Sequence, residues 1–309
     1  MNARRDLLLL VIWAVAAPAL AQTLSSAAVT PGVAGATSSP DISGLWAHPG
    51  VGFGPPVSGP GPVRNKSRLH SGQSNSDQLV GDYSNPILKP AAAEVVKRLG
   101  EIQLAGRAFP DPDNQCLLNP APYIFWNFEI ELLQLPDRVI ILYPHDQDRR
   151  EVRLNQSHSA KVTPTIHGDS VGHYESGTLV IDTVGVKVGP YRTIDRFGTP
   201  YTEALHVVER YRLISYEAAK EGLAQLAKEW RPVAVVIDPN YRGKGLQLEF
   251  TVEDPGVFTM PWSATMTYSR PDTTEWDERV CAENVQHEYD GGFFSDKDAH
   301  IPTADKPDF

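Results

Sequence analysis

The chain has 309 residues, and its 28 Lys and Arg against 38 Asp and Glu give it a formal charge of −10. This acidic balance argues against a nucleic-acid or anionic-membrane partner, because both select clustered basic side chains. The length fits one large domain or two small ones. The 26 Pro and 24 Gly favour many turns between short strands over long helices.

The first 21 residues have the pattern of a secretory signal peptide. Arg4 and Arg5 precede an uncharged stretch from Leu7 to Leu20, which is followed by a small-residue cleavage pattern that ends at Ala21. The apolar stretch is shorter than the roughly 20 residues that a membrane span needs. We therefore expect cleavage after Ala21 and a periplasmic or secreted protein. Whether the pair of arginines directs twin-arginine export stays open.

The rest of the chain predicts one folded domain with flexible ends. Residues 22–40 are small and polar, which is typical of a flexible leader. A single domain is expected over 41–295, followed by a tail at 296–309. Within the domain, the Gly- and Pro-rich segment 49–86 predicts a long loop or lid.

Two helices and a series of strands are predicted in chain order. The helices are Pro90–Leu104 and a segment that Ser215 caps and that ends near Trp230. The predicted strands are 129–135, 139–143, 171–175, 178–184, 205–213, 232–237, 246–253, 263–269 and 276–283. Consecutive strands with tight turns predict a mainly β fold: an antiparallel meander that closes into a lipocalin-like barrel, with one or two peripheral helices, or curls into a sandwich.

The hairpin around Ser176 and Gly177 has one polar and one apolar face. With these two residues at the turn, His173, Glu175 and Asp182 share a face. Such a face lines an interior cup if the barrel is hollow, or lies in water if the apolar face packs on a core. Both alternatives stay open at this point.

The next strand carries titratable groups on both faces. His206 and Arg210 point one way and Glu209 the other, so at least one charge is buried if the strand is central, and Glu209 or Arg210 then needs a partner. His206 is the best candidate for a proton shuttle, because an imidazole titrates near neutral pH. A structural histidine is the alternative.

The other predicted catalytic residues surround this histidine. We expect Glu203 or Glu175 to orient His206, Arg210 to stabilise a developing anion, and His173 to belong to the same set. His167, His173 and His206 with Asp169 or Glu175 would make a loose metal-ligand set, but the spacing is not diagnostic. Dinucleotide, phosphate-binding and zincin motifs are missing, so no cofactor and no metal are predicted.

Aromatic residues are the predicted ligand contacts, with a filled core as the alternative. The predicted ligand-binding set is Tyr123, Trp126, Tyr201, Phe258, Trp262 and Asn284. The expected ligand is a small apolar or aromatic molecule. Cys116 and Cys281 are the only cysteines, and in an oxidising compartment they form a disulfide or stay as buried thiols.

Several strings resemble a large, mostly uncharacterised family of exported bacterial proteins. They are DISGLW (41–46), LPDRVIILY (135–143), GHYESGTLVIDT (172–183), EALHVVERY (203–211) and CAEN (281–284). The resemblance runs from about residue 41 to 290 and implies export without implying an activity. The Gly44-Leu-Trp46 string is also similar to the Gly-x-Trp opening of lipocalins and related calycin barrels.

Together these observations predict an exported, cofactor-independent enzyme of the lyase, isomerase or hydrolase type. It would use His206 and nearby carboxylates on a small apolar or aromatic molecule in a barrel cup. A lipocalin-like binding protein without turnover is the competing hypothesis, and a structural envelope protein with a filled barrel is the third. The sequence does not decide the oligomeric state.

Overall fold

A computed structural model describes residues 39–144, 147–231 and 235–272. The helices are α1 (Pro90–Leu104), α2 (Tyr216–Glu229) and a short 3₁₀ helix (Tyr123–Trp126). The strands are β1 (Gly44–Ala47), β2 (Glu129–Gln134), β3 (Arg138–Tyr143), β4 (Asp148–Leu154), β5 (Asp169–Glu175), β6 (Thr178–Val184), β7 (His206–Ile214), β8 (Gly245–Glu253) and β9 (Trp262–Tyr268).

The nine strands form one sheet in sequential order that curls into a nearly closed barrel. Every neighbouring pair is antiparallel except β4 and β5, which run parallel because the crossover 155–168 returns the chain along the sheet. Nine strictly alternating strands would place the first and last in the same direction. The single parallel pair reverses this, so Ala47 meets Ser269 in an antiparallel bridge with hydrogen bonds of 2.8 and 2.9 Å. The mainly β, barrel-like prediction with peripheral helices is confirmed.

The barrel interior is filled by the side chains that alternate inward along the strands. Leu246, Leu248, Phe250 and Val252 of β8 are all at most 1% exposed. Other inward side chains are Trp46, Ile130, Leu132, Val139, Ile141, Tyr143, Leu179, Ile181, Val207, Tyr211, Trp262, Ala264, Met266 and Tyr268. The middle of the barrel is therefore packed core.

One buried ion pair crosses this core. Arg150 of β4 and Glu209 of β7 have fully buried side chains and form a two-pronged salt bridge, with Nη1 donating to Oε2 at 2.9 Å and Nη2 to Oε1. Two hydroxyl groups on the strands between β4 and β7 also accept from Arg150: its Nε donates to Ser170 Oγ at 3.2 Å and its Nη2 to Thr183 Oγ1 at 2.9 Å. Tyr211 donates to Glu209 at 3.1 Å. The prediction that a buried Glu209 would be paired is confirmed.

The ion pair joins four consecutive strands where the sheet is weakest. β4 and β5 share only two residue pairs in register, Arg153 with Val171 and Leu154 with Gly172. Arg150 reaches from β4 across β5 and β6 to β7, so its hydrogen bonds supplement this short junction. Burial is the largest single influence and lowers the pKa of Arg150, but the charge and hydrogen bond of Glu209, together with Tyr143 and Tyr211, outweigh it, so this pKa is raised.

The two α-helices begin as the sequence predicts. Pro90 occupies the first turn of α1, and Ser215 Oγ caps α2 by accepting from the Ala218 amide at 3.2 Å. α2 packs closely on the outer face of β9, because a Cβ at Gly222 would lie 2.5 Å from Thr267 Oγ1. Neither α-helix in the described part of the chain combines the length and apolar character that crossing a bilayer requires.

The strands differ from the sequence prediction in three places: β1, β4 and the segment 232–237. The sequence reading missed β1 and β4; the charges of β4 resemble a solvated surface because the partner of Arg150 is distant in the chain. Of the predicted strand 232–237, residues 232–234 lie outside the described residues, and Ile237 makes only a single bridge, to Pro271. The predicted strand 276–283 lies outside the described residues. The segment 49–86 is a loop, as predicted, although Val63, Asn65 and Val80 within it are buried.

The structure describes one of the two cysteines, Cys116. Cys116 is disulfide-bonded, and the part of the chain that the structure describes contains no free cysteine. Cys281 lies outside the described residues.

Arg150→Met is expected to lower the free energy of unfolding by about 3–5 kcal/mol, because it leaves the Glu209 charge buried without compensation. Adding Glu209→Gln to Arg150→Met should recover a large part of this loss. Arg210 follows Glu209 on β7 and is exposed. Arg210→Met should therefore lower the free energy of unfolding by no more than about 1 kcal/mol. Urea unfolding followed by tryptophan fluorescence measures all three variants. A cost for Arg150→Met equal to that of Arg210→Met would contradict the central role of the pair.

His48 predicts a pH-dependent stability. Its side chain is fully buried after β1, with Nε2 donating to the Asn127 carbonyl at 2.7 Å and Nδ1 without a partner among the described residues. Burial lowers its pKa from 6.5 to about 4. As the pH falls from 6.5 to 4, His48 becomes protonated in the unfolded chain but stays neutral in the folded chain. Stability worth about 3 kcal/mol is therefore lost in this window.

The measurement compares the wild type with His48→Gln by urea unfolding at several pH values. Asp111 and Asp195 have their pKa values raised to about 6 by burial, so they act in the opposite sense and offset His48 below pH 6. The difference between the two proteins isolates His48. It should shift in favour of the variant as the pH falls, and parallel pH curves would contradict the assignment.

Candidate functional site

A pocket of about 260 Å³ lies outside the packed interior, beside the seam where the sheet closes. After Ala47 the chain continues irregularly along β9, and Gly54 pairs with Thr265. The pocket lies between this continuation, the 3₁₀ helix and the end of α2. Its apolar walls are Phe53, Val63, Trp126, Phe197, Leu226 and Trp230.

Trp126 is the centre of the aromatic wall. Its ring meets Phe53, Phe197 and Trp230 edge to face, with centroid distances of 5.2, 5.8 and 6.1 Å. Phe53 also contacts Phe250 of the barrel core at 4.9 Å. These contacts hold the rings in fixed positions, as in a preformed site for an apolar molecule.

The polar side chains of the lining are Arg64, Asn65, Gln225 and Glu229. Arg64 and Gln225 are exposed, and Asn65 is buried. The part of the pocket lining that the structure describes contains no histidine. A more open cavity of about 450 Å³ adjoins the pocket at Pro62 and Arg64.

The structure places one predicted ligand-binding residue, Trp126, at this pocket. Tyr123 is buried and donates to Asp111 at 3.2 Å, and Tyr201 donates to the Lys187 carbonyl at 2.7 Å. Phe258 and Trp262 pack on each other in the core, with centroids 5.8 Å apart. All four are buried, and none of them lines the pocket. Trp262 alone is on a strand, and the other three are placed by the 3₁₀ helix and by loops, whose packing periodicity does not predict. Asn284 lies outside the described residues.

A partly buried cluster of Asp111, Asp113, Tyr123 and Arg196 lies next to Trp126. Arg196 pairs with Asp113 and lies 5.8 Å from the Trp126 ring centroid and 6.0 Å from that of Tyr123. Burial and the Asp113 charge raise the pKa of Asp111 to about 6, although the Asn114 amide, Arg196 and Tyr123 oppose the rise. Burial, followed by the charge of Asp111, raises the pKa of Tyr123. The sequence reading missed this cluster.

The predicted catalytic residues lie on the outside of the barrel. Leu179 and Ile181 of the hairpin are buried, whereas His173 and Glu175 are exposed. Of the two alternatives, the polar face therefore lies in water, and the interior-cup alternative is wrong. The reason is that the apolar face of the hairpin already fills the interior.

His206 has a different partner from those predicted. Its Nε2 contacts Asp182 Oδ1 at 3.0 Å, and its Nδ1 lies 3.9 Å from Glu253 Oε2. Glu203 is exposed in the turn before β7, and Arg210 pairs with Glu175 at 3.3 Å. The structure thus separates His206 from both glutamates that the sequence predicted to orient it.

A second histidine completes an outer cluster. His158, from the crossover, contacts Asp182 Oδ1 through Nε2 at 2.9 Å and Asp169 Oδ2 through Nδ1 at 3.2 Å. Burial raises the pKa of Asp169, but hydrogen bonds from Arg153, the Ser159 amide and His158 outweigh it, so this pKa is lowered. Two imidazoles therefore share one carboxylate, which is an arrangement that can orient an acid or base.

The sequence reading missed His158 because the crossover has no periodic pattern. The predicted register, with Asp182 opposite Val171 and on the same face as His173, is the observed one, but the turn could not show that His206 and His158 contact Asp182. His167, from the loose metal set, contacts Asp148 instead at 3.0 Å. Among the described residues, no group of three or more His, Cys, Asp or Glu could hold a metal ion.

Comparison with known proteins gives no relative. No family model, curated protein or solved structure matches the chain. The resemblances to exported bacterial proteins and to lipocalins stay predictions.

Proposed function

We propose that this chain is an exported binding protein that holds a small apolar or aromatic molecule in the pocket around Trp126. The observation that carries the proposal is the aromatic pocket of about 260 Å³ beside a filled barrel interior. An apolar cavity of about 150 Å³ is large enough for benzene, so this pocket has room for a molecule of about two rings.

The composition of the pocket favours binding over turnover. Catalysis by proton transfer needs a titratable group near the reacting atoms. The charged groups in the lining are Arg64 and Glu229, and the carboxylate of Glu229 is held by Arg68 at 2.7 Å. Aromatic walls with few polar groups are typical of small-molecule sites.

We expect 2-naphthamide, a neutral two-ring probe, to bind to the mature protein in a calorimetric titration. In ¹⁵N-NMR spectra, the indole N–H signals of Trp126 and Trp230 should shift on binding, because both rings line the pocket. Trp46, whose ring packs under Arg270 at 3.6 Å elsewhere on the barrel, supplies the control signal. Single Trp→Phe variants assign the three signals. Absence of binding, or a shift of Trp46 alone, would contradict the proposal.

A second candidate function, acid/base catalysis, is favoured by the outer cluster of His158, Asp182 and His206. A carboxylate that orients an imidazole is a recurrent part of proton-transfer sites. His206 is about one third exposed, so a substrate can reach it.

The test of this candidate is untargeted mass spectrometry of a native-host metabolite extract incubated with the protein. An enzyme would consume a metabolite with the wild type and with His173→Gln, which alters an exposed histidine of the same face. The same metabolite should survive with His206→Gln. If all three proteins return every metabolite unchanged, catalysis is rejected. A metabolite recovered bound to the protein would then support the binding function.

A further inference from the structure

Two polar side chains of the pocket, those of Glu229 and Asn65, already make hydrogen bonds within the protein. Glu229 Oε1 accepts hydrogen bonds from Arg68 and from Ser74, both at 2.7 Å. Asn65 donates to the Asn75 carbonyl at 2.8 Å, and its Oδ1 accepts from the Ser67 and Val80 amides. A ligand that took these groups would have to break internal hydrogen bonds.

Arg64 is different, because its guanidinium makes no hydrogen bond or ion pair with any described residue. Its side chain lines both the pocket and the adjoining cavity. The neighbouring cations are compensated: Lys66 lies 3.5 Å from Asp82, and Arg68 pairs with Glu229. In a chain of net charge −10, Arg64 is thus an uncompensated positive charge beside aromatic walls.

We infer that the ligand of the pocket is an aromatic carboxylate, whose ring lies among the aromatic walls and whose carboxylate pairs with Arg64. This inference rests on the proposed binding function. A guanidinium is a planar fork that matches the two oxygens of a carboxylate. The amide of Gln225, which also lines the pocket and is exposed, can donate a further hydrogen bond.

The overall acidity of the chain does not prevent recognition of an anion. Exposed charges separated by more than about 8–10 Å are largely screened at physiological ionic strength. The local Arg64 charge therefore dominates at the mouth of the pocket. The affinity for the anion should fall as salt is added, whereas that for a neutral ring should change little.

The test compares 2-naphthoate with 2-naphthamide, which have the same rings and nearly the same shape. In calorimetric titrations, the wild type should bind the carboxylate about tenfold more tightly than the amide. Arg64→Gln should bind the two probes equally well. Arg212→Gln is the matched control, because Arg212 is exposed at the far end of β7, where it contacts Gln247; this variant should keep the preference.

The outcomes separate the two proposals. If 2-naphthamide binds and 2-naphthoate binds no more tightly, the carboxylate inference is overturned and the binding function stands. If the preference survives in Arg64→Gln, recognition by Arg64 is overturned. If neither probe binds, the binding function itself fails. Circular dichroism of each variant verifies that the fold is retained.

Discussion

The architecture depends on the buried ion pair between Arg150 and Glu209. A nine-stranded sheet that closes antiparallel needs one parallel junction, and here that junction shares only two residue pairs. A long, charged side chain with several donors can bridge such a junction from inside, provided that its hydrogen bonds are satisfied. Ser170, Thr183 and Glu209 supply these partners on three successive strands.

The buried ion pair occupies the space inside the barrel. An arginine that crosses the barrel, packed among tyrosines and aliphatic side chains, leaves the centre filled. A cavity lies instead at the seam, where the continuation of β1 follows β9 irregularly between Ala47 and Gly54. Regular side-chain packing ends there, and aromatic rings from the loop, the 3₁₀ helix and α2 enclose a pocket.

The charged and titratable side chains discussed above lie in three separate places. The interior holds a compensated ion pair, the outer face of β5–β7 holds the His158, Asp182 and His206 cluster, and the pocket mouth holds Arg64. The first place contributes to the cohesion of the sheet. The second ties the crossover to the sheet, since His158 comes from the crossover and Asp182 from β6. Arg64, at the third place, has no carboxylate partner within the described residues.

Local patterns in the sequence determined both α-helices and the strands β2, β3 and β5–β9, and they determined which face of the Ser176–Gly177 hairpin is apolar. The hairpin at Ser176 and Gly177, the Ser215 cap and the pairing of a buried Glu209 all followed from turn chemistry, capping and the cost of burying a charge. Only the tertiary structure decided that β4 is a strand, that its Arg150 is the partner of Glu209, and that His158 joins His206 through Asp182. Phe53 and Trp230 likewise meet at Trp126 only through sheet closure. The physical reason is that periodicity records the surroundings of neighbouring residues, whereas these contacts join segments that closure of the barrel brings together.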